Sequence, residues 1–356
     1  MILAFPNRTC LLILSPVRKF TVASLMMLAI AQTIANAQSS PQQEDNWRVR
    51  LQESQPLALR DEGSPPAEQA SKSETTNTMS EPTQILWKGF LYGDQHFRDK
   101  PRPVGSPLYF EDPFINSDIR FVYLFHDFPK QSILKGGDLN VYALQLRLAL
   151  TERLSFIATS DGISHLESPI LQDETGWNDL ALGLKYAFFV DHDSDFVASA
   201  GLKWKLSNGH ANTLHGNVDE LVPFLTAYKG CGKLNFIANA EGRIAMDEHR
   251  GNHLFHWNGH VSYEIMDRLF FPLFEVHGVH YLSDGDHLPF NDGGLDYANL
   301  GSNDVAGKAV FWGGIGARWN IVDHISWGAV WEFPLQTVAN NDIFEQRVST
   351  NLIFTF

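Results

Sequence analysis

Cysteine is nearly absent: Cys10 and Cys231 are the only two among 356 residues. Cys10 falls in a leader-like stretch, so the mature chain is expected to hold one thiol and no intramolecular disulfide. Positive charge is scarce too, with 27 Lys and Arg against 41 Asp and Glu and a formal net charge of -14. A nucleic-acid binder needs cationic surface to displace phosphate counterions, so no nucleic-acid partner is expected. Beyond the first 40 residues the chain has no long apolar run. None approaches the roughly 18 residues of a membrane helix, which excludes a helical polytopic membrane protein. Charged residues make up 19% of the chain and aromatics 12%. With charge below the ~25% of ordinary soluble domains, the balance does not suit a helical soluble enzyme.

What is present begins with Arg18 and Lys19, an apolar stretch over 20–31, and then Ala35-Asn36-Ala37. A basic start, a short apolar centre and an A-x-A site describe a secretory signal peptide over residues 1–37. Its removal deletes three basic residues and no acids, leaving a charge of -17. Residues 38–84 are dominated by Gln, Glu, Ser, Pro and Thr. With so few large apolar groups they cannot offset their ordering entropy, and a disordered linker is expected. Residues 85–117 differ, with Trp87, Phe90, Tyr92, Phe97, Tyr109, Phe110 and Phe114 scattered among Pro and Gly. That composition suits an irregular, packed segment.

From residue 118 to the end the dominant signal is period two. Tyr142, Leu144, Leu146, Leu148 and Leu150 alternate with Ala143, Gln145, Arg147 and Ala149. Leu180, Leu182, Leu184, Tyr186 and Phe188 alternate with small or basic residues, as do Trp204 and Leu206 later. Strand side chains point to opposite faces in turn, so each segment has one apolar face and one polar or small face. About twelve such segments appear, near 118–126, 139–150, 154–167, 178–190, 196–208, 220–229, 234–247, 253–265, 269–283, 305–321, 325–338 and 345–356. Short turns alternate with longer connections near 127–138, 168–177, 209–219, 248–252, 284–304 and 339–344. An up-and-down antiparallel sheet with its tight turns at one end produces this pattern.

A soluble sandwich would need a dry core, yet the polar faces carry Lys, Arg, Asn and Glu. Strands of about ten residues cross a bilayer at a tilt. In hydrocarbon an open sheet edge would leave unpaired backbone groups, so the sheet must close. The fold class predicted over 118–356 is therefore all-β, an antiparallel up-and-down transmembrane β-barrel of about twelve strands behind a disordered N-terminal linker. Residues 85–117, entering from the periplasmic side, are a candidate plug. Tyr186, Trp204, Trp257, Trp319, Trp327 and Trp331 are candidates for interfacial girdles. Pro223, Pro272 and Pro334 fall inside predicted strands, where each removes a ladder donor, and bulges or strand ends are expected there. Around Phe270 to Leu282 the apolar face switches, for which a bulge is the expected cause.

The stretch Trp177-Asn178-Asp179-Leu180-Ala181-Leu182-Gly183-Leu184-Lys185-Tyr186 resembles a strand segment of the MetA-pathway phenol degradation family of outer-membrane barrels, with Trp177 where that pattern has Gly. Leu150-Thr151-Glu152-Arg153-Leu154 is similar to its tight turn, Leu206-Ser207-Asn208-Gly209 to a strand end, and Leu352-Ile353-Phe354-Thr355-Phe356 to its last strand. The resemblance spans roughly residues 118–356. It implies passage of small hydrophobic, often aromatic, solutes across the outer membrane. Likeness to known barrels implies that Phe356 is read by the barrel-assembly machinery.

Three constellations bear on chemistry. His253, His256, His260, His277 and His280 gather with Glu264 and Glu275, but positions four apart on one strand lie about 13 Å from each other and cannot chelate together. A hydrated lumen wall is the expected role, with no metal and no cofactor. Asp284, Asp286, Asp292, Asp296 and Asp304 share a loop whose spacing fits no EF-hand; a solvated surface loop is expected, one able to meet lipopolysaccharide through divalent ions. Lys205-Leu206-Ser207-Asn208 places Lys where a lipid hydrolase on such a barrel would have its His, so Ser207 lacks a base and no enzyme is expected.

The polar faces themselves carry the functional reading. Arg147, Lys185, Lys203, Lys205, Asn235, Asn239, Glu241, Arg243, His256, His260, Arg318, Glu332 and Arg347 are the candidate lumen-lining residues. Their mixed signs argue against strong ion selectivity. The reading is an outer-membrane channel for passive uptake of a small, hydrophobic or aromatic solute, with membrane lipid and lipopolysaccharide as its surroundings. The alternative is a structural or adhesive protein with a closed barrel.

Overall fold

Alternating side chains fix which residues can share a wall, and the wall is best traced in the computed structural model, which describes residues 88–336 and 343–356. The leader and linker expected over 1–37 and 38–84 lie outside the described residues. The first strands are β1 (Asp118–Asp127), β2 (Asp138–Ala149), β3 (Leu154–Ala158), β4 (Ile163–Glu167) and β5 (Glu174–Trp177). There follow β6 (Leu180–Asp191), β7 (Phe196–Leu206), β8 (Glu220–Cys231), β9 (Leu234–Ala245) and β10 (Leu254–Tyr263). The last are β11 (Phe270–Tyr281), β12 (Ala309–Val322), β13 (Ile325–Pro334) and β14 (Gln346–Thr355).

Every pairing between these strands is antiparallel, and β1 pairs with both β14 and β2, so the sheet closes on itself. Two staves of the barrel are each broken once. β3 and β4 both pair with β2, and β6 and β5 continue the next stave beside them. The fourteen strands thus form a closed twelve-stranded barrel. The first break is anchored by Gly162, at φ +133°, where a Cβ would lie 2.1 Å from the Tyr142 carbonyl oxygen. Only glycine tolerates both the angle and the approach. Across the gap, Thr159 N donates to Ala181 O at 3.0 Å and Asn178 N to Gly162 O at 2.9 Å.

The pleat sorts the sequence as period two requires. Phe121, Leu144, Leu184, Leu202, Leu225, Phe274, Ile315 and Trp331 face outward and are 43–53% exposed. So large an apolar belt on a barrel without a sheet edge belongs in lipid. Tyr186, Trp204, Trp319 and Trp331 are exposed on that face, and Trp257 and Trp327 are half-buried there. Tight turns at 150–153, 192–195, 232–233, 264–269 and 323–324 gather at the end where Asp118 pairs with Thr355. Outer-membrane barrels keep such turns on the periplasmic side.

Several expected details differ. β12 starts at Ala309 rather than 305, and β5 lies within the connection expected over 168–177. The bulge expected around 270–282 is not there, since β11 pairs in continuous register with β10 and β12. Its inward positions Phe271, Leu273, Val279 and Tyr281 are apolar because they are covered from inside the barrel, which mimics a change of face in the sequence. Register shifts occur instead between Ala187 and Phe189 and between Asn320 and Val322. Pro334 ends β13, and at Pro223 the β8–β9 ladder lapses between Leu221 and Phe224. Pro272 lies near the start of β11, opposite Ala317.

Candidate functional site: the occupied lumen

The thirteen candidate lumen residues are all buried, none more than 4% exposed, because the barrel interior is filled. Residues 94–117 fold into it from the tight-turn end and return there, with Asp94 N donating to Ile115 O at 2.8 Å. The entry is tied to the tight-turn end: Asp94 caps the short 3-10 turn Gln95–Phe97 and bonds His192 Nε2 at 2.9 Å. Lys100 Nζ meets Asp195 Oδ2 at 2.5 Å. Burial alone would raise the Asp195 carboxyl, yet its hydrogen bond and ion pair with Lys100 hold it below the ordinary carboxylate value.

Beyond that point the segment has no regular secondary structure, so its backbone groups need partners from elsewhere. Pro101, Pro103, Pro107 and Pro113 remove four donors outright. Tyr109 N and Phe110 N donate to Ser106 O within the segment, and the wall supplies many of the other partners. Arg318 donates to the carbonyls of Arg102 and Pro103 at 2.8 and 3.0 Å. Gln145 donates to Pro107 O, Asn258 to Tyr109 O, Thr226 to Glu111 O and Ser199 to Pro113 O, at 2.6–2.9 Å. In the other direction, Val104 N and Gly105 N donate to Glu275 at 3.0 and 2.6 Å. Gly105 fits closely here, since a Cβ would lie 2.6 Å from Glu275 Oε2 and 3.0 Å from His277 Nε2, and those side chains would have to shift.

The side chains of the segment face charges of opposite sign. Arg147 grips Glu111 with Nε at 2.9 Å and Nη2 at 2.5 Å, and Lys185 Nζ adds a third contact at 2.7 Å. Arg120 meets Asp112 at 2.7 Å and Asp118 at 2.8 Å, and Arg102 reaches Asp118 at 3.1 Å. The Tyr109 ring stacks on His256 at 5.2 Å, with Arg243 4.4 Å and Lys203 5.1 Å from its centre. Elsewhere the wall pairs with itself: Lys203 with Glu241, Lys205 with Asp179 and Glu220, Arg243 with Glu220, and His260 with Glu275. Asn239 accepts from Asn258, Asn235 from Tyr228, and Arg318 also donates to Asn351.

From the opposite end the β11–β12 connection, residues 282–308, reaches inward. Asp296 is 2% exposed, so the solvated loop expected for it is corrected at this residue. It pairs with Arg347 and accepts from Ser106 Oγ at 2.8 Å. Burial would raise this carboxyl, and the Arg347 guanidinium holds it well below the usual range. Leu295, Tyr297, Ala298 and Leu300 are buried beside it because they meet plug and wall instead of water. The other acids separate: Asp284 accepts from Val305 N and Ala306 N, Asp286 pairs with His249, and Asp292 accepts from Ile133 N.

The expected histidine group also divides. His256, His260 and His277 face the lumen, whereas His280 bonds Trp257 Nε1 on the outer face and His253 bonds Ala245 N beside the β9–β10 loop. Among the described residues no group of three His, Cys, Asp or Glu is placed to hold a metal ion. Ser207 donates its hydroxyl to Asp219 Oδ1 at 2.6 Å, and that bond lowers the Asp219 carboxyl pKa. Sequence reasoning missed Arg120, Glu111 and Asp112. Arg120 shares the polar beat of β1 with Asp118, and the two acids are the only charges between Pro103 and Ser117.

Neither a family model nor a curated protein sequence matches the chain. Its structure is similar to that of the COG4313 outer membrane channel from Pseudomonas putida F1, with a TM-score of 0.50 and 13% identity over 72% of this chain and 100% of that one. What the two share is the fold, a closed antiparallel β-barrel. The NanC porin gives a TM-score of 0.40 at 10% identity, covering 67% of this chain and 99% of that one. The KdgM porin gives 0.39 at 8% identity, with the same coverage.

Proposed function

We propose that this chain is a passive outer-membrane channel for small solutes, held closed by residues 94–117 and the inward loop 282–308. The observation that carries the reading is the nature of the plug's contacts. Between Arg102 and Pro113 the segment is fastened to the wall by hydrogen bonds and ion pairs to Arg, Lys, Glu, Asn and Thr side chains. Water and solute can replace contacts of that kind, while Val104, Leu108 and Phe110 add apolar packing on the wall beside them. Among the described residues the plug is continuous in chain with the barrel only at the start of β1 and is held elsewhere by hydrogen bonds and ion pairs, so it can rearrange without opening the barrel seam.

The resemblance to the MetA-pathway phenol degradation family supports a small, hydrophobic or aromatic solute. The thirteen lumen residues would then form the path once the plug shifts. Reading of Phe356 by the barrel-assembly machinery and contact of Asp284 and Asp286 with lipopolysaccharide belong to the same proposal. The full-length protein in planar bilayers tests it. Discrete conductance steps and solute flux into liposomes are expected. An electrically silent barrel that passes no solute would instead favour a structural or adhesive role.

A further inference from the structure

Three cations line one side of the lumen: Arg120 of β1, Arg147 of the neighbouring β2, and Lys185 of β6, one stave beyond β3. All are buried. Asp118 lies opposite Arg147 in the β1–β2 register and serves as the wall's own carboxylate for Arg120 and Arg147. The remaining negative charge comes from the plug, through Glu111 on Arg147 and Lys185, and Asp112 on Arg120 and Lys185. Mixed signs along the whole wall conceal this local excess, because two of the acids that balance it are not part of the wall.

Withdrawing the plug would leave three cations facing one carboxylate. Buried charges of one sign without partners are costly, so a vacated site favours whatever anion reaches it. The geometry also selects the kind of anion. Arg147 presents Nε and Nη2 side by side to the two oxygens of Glu111, the forked arrangement that matches a planar carboxylate. Lys185 Nζ closes on the same oxygen as Arg147 Nε.

We infer that Arg120, Arg147 and Lys185 form a binding site for the carboxylate of a permeating small organic acid, and that Glu111 and Asp112 occupy it as stand-ins while the channel is closed. The inference rests on the channel reading above and narrows its solute class. Because the solute binds the open form alone, it shifts the gate toward opening in proportion to that preference.

The test is ion selectivity of the full-length protein in planar bilayers under a potassium acetate gradient. Glu111→Gln/Asp112→Asn loosens the gate, and Arg147→Gln/Lys185→Gln removes the site. Acetate is expected to permeate about tenfold better than potassium in the wild type and in the loosened variant. In the site variant the ratio should fall to about one. Conductance should saturate at a lower concentration of acetate than of chloride, and equal saturation would overturn the carboxylate assignment. Should the loosened variant not fold, Glu111→Gln/Arg147→Gln keeps the pair neutral and is expected to lose the acetate preference. A conducting wild type with a ratio near one refutes this inference and leaves the channel reading standing. If neither the wild type nor any folded variant conducts, the channel reading itself fails.

Discussion

Arg347 of β14 and Asp296 of the β11–β12 connection form a two-pronged ion pair, with Nη1 2.8 Å from Oδ2 and Nη2 2.6 Å from Oδ1. The same Oδ2 accepts from Ser106 Oγ of the plug. One carboxylate therefore ties wall, inward loop and plug together at the place where the two fillings of the lumen meet.

Removing that carboxylate should release both fillings. Asp296→Ala leaves Arg347 with Glu332 at 3.7 Å as its carboxylate neighbour. Breaking a buried pair from one side costs about 3–5 kcal/mol. Urea unfolding in lipid vesicles should register that loss, and single-channel recording should register a higher open probability.

The latch should also respond to acid, and its sign follows from the depressed Asp296 carboxyl. A carboxyl whose folded value lies below its unfolded value of about 3.9 contributes stability that is fully present above that value. It is lost only as pH falls further, through the folded value. Conductance attributable to loop release should thus stay flat from neutral pH down to about 4 and rise only in stronger acid. A rise centred near pH 6 would assign the gate to a histidine instead.

Gly105 sits where a side chain has no room. A Cβ there would meet Glu275 Oε2, His277 Nε2 and Glu332 Cδ at 2.6, 3.0 and 3.2 Å. Gly105→Ala should cost about 1–3 kcal/mol through overpacking. It should also raise spontaneous opening, since the displaced carboxylates are the ones that hold the plug backbone. Unfolding midpoints and open probability measure the two effects separately.

Tyr109 separates packing from hydrogen bonding. Its ring is enclosed by Arg243, Lys203 and His256, while its buried hydroxyl has no hydrogen-bond partner among the described residues. Tyr109→Phe should leave stability unchanged within about 0.5 kcal/mol. Tyr109→Ala should cost about 3–5 kcal/mol, the range of large aromatic truncations. Parallel denaturation curves of the two variants decide the point.

On the outer face the burden reverses. Leu225 lies near the middle of β8 and is 52% exposed. Leu225→Arg should destabilise the barrel by about 2–4 kcal/mol in a bilayer, the cost of a cation near the midplane. The penalty should shrink in short-chain detergent, where water reaches the site.

How much of this was legible in the sequence depends on the range of the interaction. Alternation placed Arg147, Lys185, Lys203 and Glu241 on the polar face, and Leu184 and Leu202 on the opposite one, because the pleat is a local property of two residues. It missed the apolar inner positions Leu273 and Val279 of β11. These obey the pleat but pack on Val104 and on Leu295, residues brought there by the plug and the loop. Asp296 was assigned to water for the same reason. Its neighbours Leu295, Tyr297 and Ala298 carried the signal that the loop turns inward.

The sequence by itself determined the barrel, since period-two strands with one oily face, joined by turns and loops in alternation, have no other way to satisfy their backbone groups in lipid. Only the tertiary structure decided what fills it. The partners of Glu111, Asp112 and Asp296 lie 36, 8 and 51 residues away, and closing a chain onto such a partner leaves no periodic trace.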